Sequence, residues 1–367
     1  MSNRQTLPWL IKSPASGKTY ECSEVLGEGG FGVAYRACTI DRRGSRGVSS
    51  VCVKVIEGSH KSTWIHEAYF GELLRGHYRV IQIADAFPFF LGGKSRRPIV
   101  YVLVSELAKH GSLADWLKRN SPRLREKRIK REAIGLLHAL DRIHRGGAVH
   151  RDLTPFNILV CEGESLKLGD FGIARHGPRG RGVEAGTFNM GWVPSRVRLS
   201  EQRWWRERDD IYQMGQLLAT LVQGEAVPIT TTQVKLLKCS AELKVVIRRA
   251  IGEPGERYRD ALEMIAALKE PGAAPTGGIL SLRGKEVVFT GSLPISRAEA
   301  KRLAARAGAR VSDSVTKRTD VLVRGQDSPV WIADKQGTKL IAALRISERG
   351  GVIRIINEVQ FARLVGR

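Results

Sequence analysis

The chain has 367 residues, a length for two to three domains, with 42% hydrophobic and 26% charged residues, 39 Gly and 14 Pro. That balance excludes wholesale disorder and collagen-like repeats. The longest apolar run, around Pro98–Val104, falls well short of the ~18 residues of a membrane span and reads as a buried strand. Lys and Arg number 60 against 37 Asp and Glu, a net charge of +23 that favours polyanionic company (nucleic acid, phosphorylated protein or nucleotide) without choosing among them.

Met1–Thr19 has no continuous apolar core, so no secretory leader and no membrane partner are expected. Five widely spaced cysteines, with no CxxC and no Cys/His pair at zinc spacing, exclude a disulfide framework and read as thiols of a reducing cytoplasm. Strand-like alternation runs over Tyr20–Leu26, followed by a glycine cluster and a second strand at Val33–Ala37. A loop of Arg, Gly and Ser (Asp41–Ser50) then leads to a β-branched strand, Val51–Ile56. Trp64–Leu74 has helical spacing and Ile99–Val104 is a continuous apolar strand. After Gly111 the pattern turns helical, with Ile134, Leu137, Leu140 and Ile143 on one face and Ile211–Leu221 repeating the habit. A small strand-rich lobe (about 20–107) therefore precedes a larger helical one (about 108–270). Lys118–Arg131, with eight basic residues in fourteen, joins one helix to the next and reads as a solvated helix face in preference to a dedicated nucleic-acid patch. Lys269–Ile279 has linker composition, which places a boundary near Gly277: a first domain over 1–270, a linker over 271–279 and a second domain over 280–367.

The chemistry-bearing residues fall in the first domain. In LGEGGFGV (Leu26–Val33), Gly27, Gly29 and Gly32 allow a hairpin backbone to lie close over phosphates. Lys54 is the one charged residue in an apolar strand and needs a carboxylate partner, which the following helix offers at Glu67 or Glu72, with Glu67 preferred on spacing. In HRDLTPFNIL (His150–Leu159) and LGDFG (Leu168–Gly172), Asp152 suits the orienting and deprotonation of a hydroxyl. Asn157 and Asp170 supply hard oxygens for magnesium held against phosphates.

The order LGEGGFG, VCVK, HRDLTPFN, DFG, Gly186-Thr187 and DDIYQMG resembles the eukaryotic-type protein kinases over roughly Tyr20–Leu268. The resemblance implies an α+β two-lobed kinase fold with ATP in the cleft, covered by Leu26, Gly27, Glu28, Gly29, Gly30, Phe31, Gly32 and Val33. It implies that Lys54 holds the α- and β-phosphates and pairs with Glu67, that Asp152 is the catalytic base, and that Asn157 and Asp170 hold Mg2+, with Mn2+ as a substitute. Ser105–Ala108 resembles the hinge, where backbone groups of Glu106 and Ala108 bind adenine. Thr187 and the HRDLxPxN frame favour serine/threonine over tyrosine.

Three departures accompany the resemblance. Thr154 stands where these kinases place a lysine on the transferred phosphate. A neutral donor there costs ~1 kcal/mol, about tenfold in rate. Ser195 ends a Val-Pro-Ser run in place of Ala-Pro-Glu, leaving Arg257 without its usual buried partner. Ile173–Trp192 has one hydroxyl, Thr187, so an acid such as Glu184 is expected to neutralise Arg151 in place of loop phosphorylation. The short Gln223–Cys239 stretch leaves a reduced substrate-docking surface.

From Leu280 strand and helix alternate: a strand at Lys285–Thr290, a capping box at Ser296–Glu299 opening a helix closed by Gly308, strands at Thr319–Val323 and Val352–Ile356, and helices at Lys339–Leu344 and Asn357–Val365. This order resembles the BRCT domain, especially that of bacterial DNA ligases, and implies a small α/β fold with a parallel four-stranded sheet. In phosphate-binding members, the positions of Thr290, Gly291 and Lys339 form the pocket, a combination of hydroxyl, backbone N–H and ammonium suited to an anion. Together the resemblances imply a bacterial or phage serine/threonine kinase, brought by the BRCT module to DNA ends or phosphorylated partners in DNA-damage or phage-response signalling. The alternative is a weak or inactive pseudokinase, a nucleotide-binding scaffold tethered to DNA, and a third reading is a small-molecule kinase.

Overall fold

A computed structural model describes residues 9–41, 44–91, 99–120, 123–176, 190–199, 205–269, 281–291, 293–325, 339, 342–343, 346, 353–357, 361–362 and 364–366. Gly186-Thr187, Glu184 and the linker lie outside them. The chain divides into two compact units, Met1–Arg259 and Asp260–Arg367.

The first unit opens with a six-stranded antiparallel sheet in the order β1-β2-β3-β4-β6-β5. Its strands are β1 (Trp9–Lys12), β2 (Thr19–Gly29), β3 (Gly32–Ile40), β4 (Arg46–Glu57), β5 (Ile83–Phe90) and β6 (Ile99–Glu106), with helix α1 (Lys61–Leu73) between β4 and β5. Alternation decides the faces. Val51, Val53 and Val55 of β4 pack on a core of Ile11, Tyr20, Tyr35, Phe87, Val102 and Val104. Lys54, between them, must face the other way, and it pairs in register with Ala34 and Leu103. Trp64 of α1 anchors the helix to the sheet by donating its indole N–H to the Val102 carbonyl at 3.0 Å.

The helical part of this unit carries α2 (Leu113–Asn120), α3 (Glu126–Arg145), α4 (Ser195–Leu199), α5 (Glu207–Gln223) and α6 (Ala241–Ala250). It also holds the short strands β7 (Ala148–Val149), β8 (Ile158–Val160), β9 (Leu166–Leu168) and β10 (Arg175–His176). The basic run expected to join two helices spans the end of α2 and the start of α3, where Lys130 pairs with Glu126 and Arg128 with Glu164. Helix α3 buries Ile129, Ala133, Leu136, Leu140 and Ile143, the three-to-four spacing of one helical face. Helix α5 is buried almost throughout. It approaches α6 so closely at Gly215 that a Cβ there would stand 2.6 Å from Ala250 Cβ.

The second unit begins with α7 (Ala261–Lys269), followed by β11 (Glu286–Thr290), α8 (Arg297–Arg306), β12 (Arg310–Ser312), β13 (Val321–Arg324) and β14 (Arg354–Asn357). The sheet is four-stranded and fully parallel, in the order β12-β11-β13-β14. Its fourth strand, β12, lies at the edge directly after Gly308 and is too short to show a period of its own. The Ser296 hydroxyl accepts the Glu299 N–H at 3.1 Å, while the Glu299 carboxylate turns to Arg302, so half of the expected capping box forms. Val287, Phe289, Ala300, Ala304, Val323 and Phe361 share the core. Lys339, Ala342 and Ala343 are helical, as the spacing requires. Among the described residues no helix is long and apolar enough to cross a membrane, and all five cysteines are free.

Candidate active site

The Lys54 ammonium lies 2.5 Å from Glu67 Oε1 and 3.3 Å from Asp170 Oδ2. Burial pushes the Lys54 pKa down, but the two carboxylates outweigh it and hold the group above its ordinary value, so it is charged. Of the two candidate partners, Glu67 is the one that meets Lys54. Glu72 lies five residues on and pairs with Arg75 at the exposed end of α1. Burial also opposes the charge of Asp170, yet Lys54 and the Gly172 N–H keep its carboxyl below the usual range.

The loop after β7 brings the remaining groups to the same place. Asn157 donates its side-chain amide to Asp152 Oδ2 at 2.6 Å and to the Asp152 carbonyl at 3.1 Å. Burial, with the neighbouring Asp170 charge second, pushes the Asp152 carboxyl up to about 7. Thr154 is 1% exposed, and its backbone sets the turn: its N–H donates to the Asp152 carbonyl, and its own carbonyl accepts from Asn157 and Ile158. Asp170 has φ +53°, a left-handed conformation rare outside glycine. Phe171, next to it, packs on the rings of His150 at 5.0 Å and Phe70 at 5.9 Å, tying the loop to α1.

The loop is held from below by residues to which the sequence reading gave no role. Asp210 of α5 accepts the backbone N–H groups of His150 and Arg151 at 2.8 and 2.9 Å, the Trp205 indole at 2.8 Å and His144 Nε2 at 2.8 Å. The Gln213 amide receives the Leu153 N–H at 3.0 Å and donates to the Arg151 carbonyl at 3.1 Å. These contacts fix Arg151 at φ +75°. The DDIYQMG segment was visible in the sequence, but nothing in it shows that two of its side chains reach a loop sixty residues earlier.

The tip of the β2–β3 hairpin carries exposed glycines. A Cβ at Gly27, Gly29 or Gly30 would meet no protein atom within 4 Å, so packing within the protein does not require glycine there. Gly32 is different: a Cβ would stand 2.0 Å from the Val55 carbonyl oxygen. Leu26 and Glu28 are exposed and Val33 packs on the sheet core. Phe31 packs against Val149, Ile173, Val193, Val197 and Trp205, with its edge on the His60 ring at 5.3 Å, drawing the hairpin tip down. At the end of β6 the Glu106 N–H is taken by the Gln82 carbonyl at 3.0 Å, and the Ala108 carbonyl accepts from Gly111 at 3.3 Å. The Glu106 carboxylate receives Lys167 at 2.7 Å and the Gln82 N–H at 2.8 Å, which turns it away from a ligand role of its own.

Arg257 does not lack a buried partner. Its guanidinium lies 3.2 Å from Asp209 Oδ1, both residues being almost fully buried, and sits over the Tyr212 ring at 4.9 Å. The carboxylate that Ser195 cannot provide is supplied from the first turn of α5.

In the second unit, Thr290 ends β11 almost fully buried and Gly291 follows at φ +81°. The Lys339 ammonium donates to the Phe289 carbonyl at 3.3 Å. The three residues expected to form a pocket thus meet at one strand end.

Among the described residues no cluster of three or more His, Cys, Asp or Glu is arranged to hold a metal ion by itself. Asn157 and Asp170 provide hard oxygen donors, which suits a small divalent cation that keeps waters and takes further oxygens from phosphates.

Comparison with known proteins agrees with this geometry. The family described as Protein kinase domain matches residues 20–268, and the BRCA1 C Terminus (BRCT) domain matches residues 280–345. The probable serine/threonine-protein kinase PBL17 of Arabidopsis thaliana is 29% identical over 225 residues, 57% of this chain and 47% of that protein. The probable serine/threonine-protein kinase PknB of Bifidobacterium longum is 28% identical over 222 residues, 57% of this chain and 31% of its own length. A fibroblast growth factor receptor of Hydra vulgaris is 28% identical over 181 residues, 46% of this chain and 21% of the receptor. The chain spans less than half the length of these relatives. The chain belongs to the protein kinase domain family and carries a BRCT domain after its kinase domain.

Proposed function

We propose that this protein is a serine/threonine protein kinase that transfers the γ-phosphate of ATP to protein hydroxyls. The observation that carries the reading is that Lys54 pairs with both Glu67 and Asp170, while Asp152, oriented by Asn157, lies close enough to Asp170 to feel its charge. In this reading the kinase domain is 1–270, a linker covers 271–279 and the BRCT domain is 280–367.

Each residue has a task that follows from its contacts. Lys54, held charged by Glu67, places a cation where the α- and β-phosphates lie. Asp152, oriented by Asn157, accepts the proton of the attacking hydroxyl, a role favoured by a carboxyl whose pKa lies close to working pH. Asn157 and Asp170 would hold Mg2+, or Mn2+ in its place, which would supply positive charge against the phosphates. The glycine hairpin leaves room for phosphate oxygens, and backbone groups of Glu106 and Ala108, at the end of β6, are the ones to face adenine. Thr154 contributes chiefly by holding the turn between Asp152 and Asn157, with its hydroxyl a neutral donor where a lysine would be stronger.

Serine and threonine are favoured over tyrosine by the HRDLTPFN frame and by relatives named as serine/threonine kinases, although a receptor also matches. The BRCT domain brings this activity to a phosphate-bearing partner through Thr290, Gly291 and Lys339. A place in DNA-damage or phage-response signalling rests on that module alone. Five free thiols fit a reducing, cytoplasmic setting.

The test is transfer of labelled γ-phosphate from ATP with Mg2+ to the protein itself or to a generic basic protein, followed by phosphoamino-acid analysis. Label on serine or threonine that is abolished by chelating the metal supports the reading. Nucleotide binding without turnover would favour the pseudokinase scaffold instead.

A further inference from the structure

Alone, the basic run Lys118–Arg131 reads as a solvated helix face, but folding sets a second basic stretch beside it. The Glu126 carboxylate, at the start of α3, accepts the Ser240 N–H at 2.9 Å and the Ser240 hydroxyl at 2.7 Å. That hydroxyl in turn accepts the Leu243 N–H at 3.2 Å as the N-cap of α6. Two residues 114 positions apart thus lock the starts of two helices together. Lys130 of α3 and Lys244 of α6 both bear on the Cys239 thiol, which puts both at this junction. Lys244 also donates to the Lys235 carbonyl at 3.0 Å, holding the segment that carries Lys235 and Lys238 against the start of α6.

Acids do not balance this charge. Glu126 is the one acid in the first run and is shared between Ser240 and Lys130. Burial opposes its charge, but Lys130 and the Ser240 groups hold its carboxyl below the usual range. Glu132 is buried between Arg79 and Arg131, and Glu164 is paired with Arg128. Glu242 remains as an exposed acid in the first turn of α6. Among the described residues, no carboxylate pairs with Lys118, Arg123, Arg125, Lys127, Lys235 or Lys238, and all six are exposed. Helix stability does not account for the first run either. Arg125 is the N-cap of α3 without making a side-chain cap, and Lys127, Arg128 and Lys130 follow at once. Cations there face the positive end of the helix dipole, where acids would stabilise.

We propose that the joined starts of α3 and α6, with the end of α2, form a docking surface for the phosphate backbone of a nucleic-acid duplex. It binds through charge and reads no sequence. A duplex carries one charge per ~1.7 Å of axis, so cations spread over two helix starts and a loop each find a phosphate. Lysine is depleted from protein interfaces, whereas Lys and Arg are the usual donors to phosphate oxygens. Leu236 and Val245 are exposed on the same two elements, so an acidic protein is the rival occupant that the experiment must exclude. The surface lies wholly within the first unit and uses none of the residues placed in catalysis.

The experiment measures binding of the full-length chain to covalently closed DNA and RNA duplexes, which offer no strand ends, and to poly-glutamate, at ~0.15 M salt and across a salt series. One variant combines Arg123→Gln, Arg125→Gln and Lys127→Gln, and a second combines Lys235→Gln and Lys238→Gln. A control combines Lys12→Gln, Lys18→Gln and Lys61→Gln, three exposed cations elsewhere in the same unit. The first variant should weaken duplex binding about ten- to hundredfold and lower the log–log salt slope by about two to three. The second should weaken it about three- to tenfold and lower the slope by about one to two, and the control should stay within about twofold. Removing cations from the positive end of α3 should not lower the melting temperature, which separates lost binding from lost fold. These losses on either duplex support the surface, and the duplex that binds tighter names the source of the phosphate. A first variant no weaker than the control overturns the surface. A second variant that matches the control overturns the joining of the two stretches. The same losses on poly-glutamate but not on either duplex overturn the choice of nucleic acid.

Discussion

Asn157 donates its side-chain amide to Oδ2 of Asp152 at 2.6 Å, so the residue placed to hold the metal also orients the residue placed to take the proton. The two tasks share one side chain, and removing it should damage both. Asn157→Ala is expected to lower kcat about ten- to hundredfold, the usual cost of losing an orienting partner. It should also raise the Mg2+ concentration needed for half-maximal rate. A metal titration of wild type and variant checks this: a lower kcat at unchanged metal requirement would remove Asn157 from the metal site.

Lys54 is held by two carboxylates, so its loss acts on both. Lys54→Met should lower kcat/KM by at least a hundredfold, and it leaves Glu67 and Asp170 as neighbouring like charges in a buried place. Glu67→Gln, which removes the orienting charge and leaves Lys54 with Asp170, should cost about tenfold. In the double variant the costs should not add, since the two residues act as one unit. Additive losses would separate the pair.

The buried Arg257–Asp209 pair predicts a loss of stability with little effect on the chemical step. Arg257→Leu should destabilise the kinase domain by roughly 3–5 kcal/mol, because it strands Asp209 without its cation. Adding Asp209→Asn should restore part of that loss. Chemical denaturation of the three proteins tests both statements.

His144 and Asp210 give a pH dependence with a definite sign. Burial lowers the His144 pKa, but the Asp210 carboxylate outweighs it, so the folded imidazole titrates above its ordinary value. A group raised in this way contributes fully at pH below its unfolded value, ~6.5, and its contribution is lost as pH rises through the folded value. The stability difference between wild type and His144→Gln should therefore be larger at pH 6 than at pH 9. Thermal melts at the two values measure it, and an equal or reversed difference would mean that His144 is neutral in the folded protein.

The sequence displayed the catalytic loop and its chemistry because those residues are local: HRDLTPFN and DFG each lie within a few positions of the backbone turns that present them. Lys54 and Glu67 were legible for a related reason, since a charge in an apolar strand demands a partner and the next helix supplies one at the right spacing. What escaped was support arriving from far along the chain. Asp210 and Gln213 stand out only as members of the DDIYQMG motif, and Trp205 and His144 read as ordinary loop and helix residues, until folding brings them to His150 and Arg151. Arg257 escaped in the same way: the missing carboxylate at Ser195 was visible, but its replacement by Asp209 depends on how α5 begins. In the second unit the helical period and the three longer strands were readable, whereas β12 is only three residues and its pairing with β11 fixes it.

The most direct test of the kinase reading compares wild type with Asp152→Asn for transfer of labelled phosphate from ATP and Mg2+, with ATP binding measured on both. The variant keeps the shape and the neighbours of Asp152 while removing its ability to accept a proton. The account predicts unchanged nucleotide binding and a fall in transfer of about a hundred- to ten-thousandfold. Equal labelling by the two proteins would contradict it.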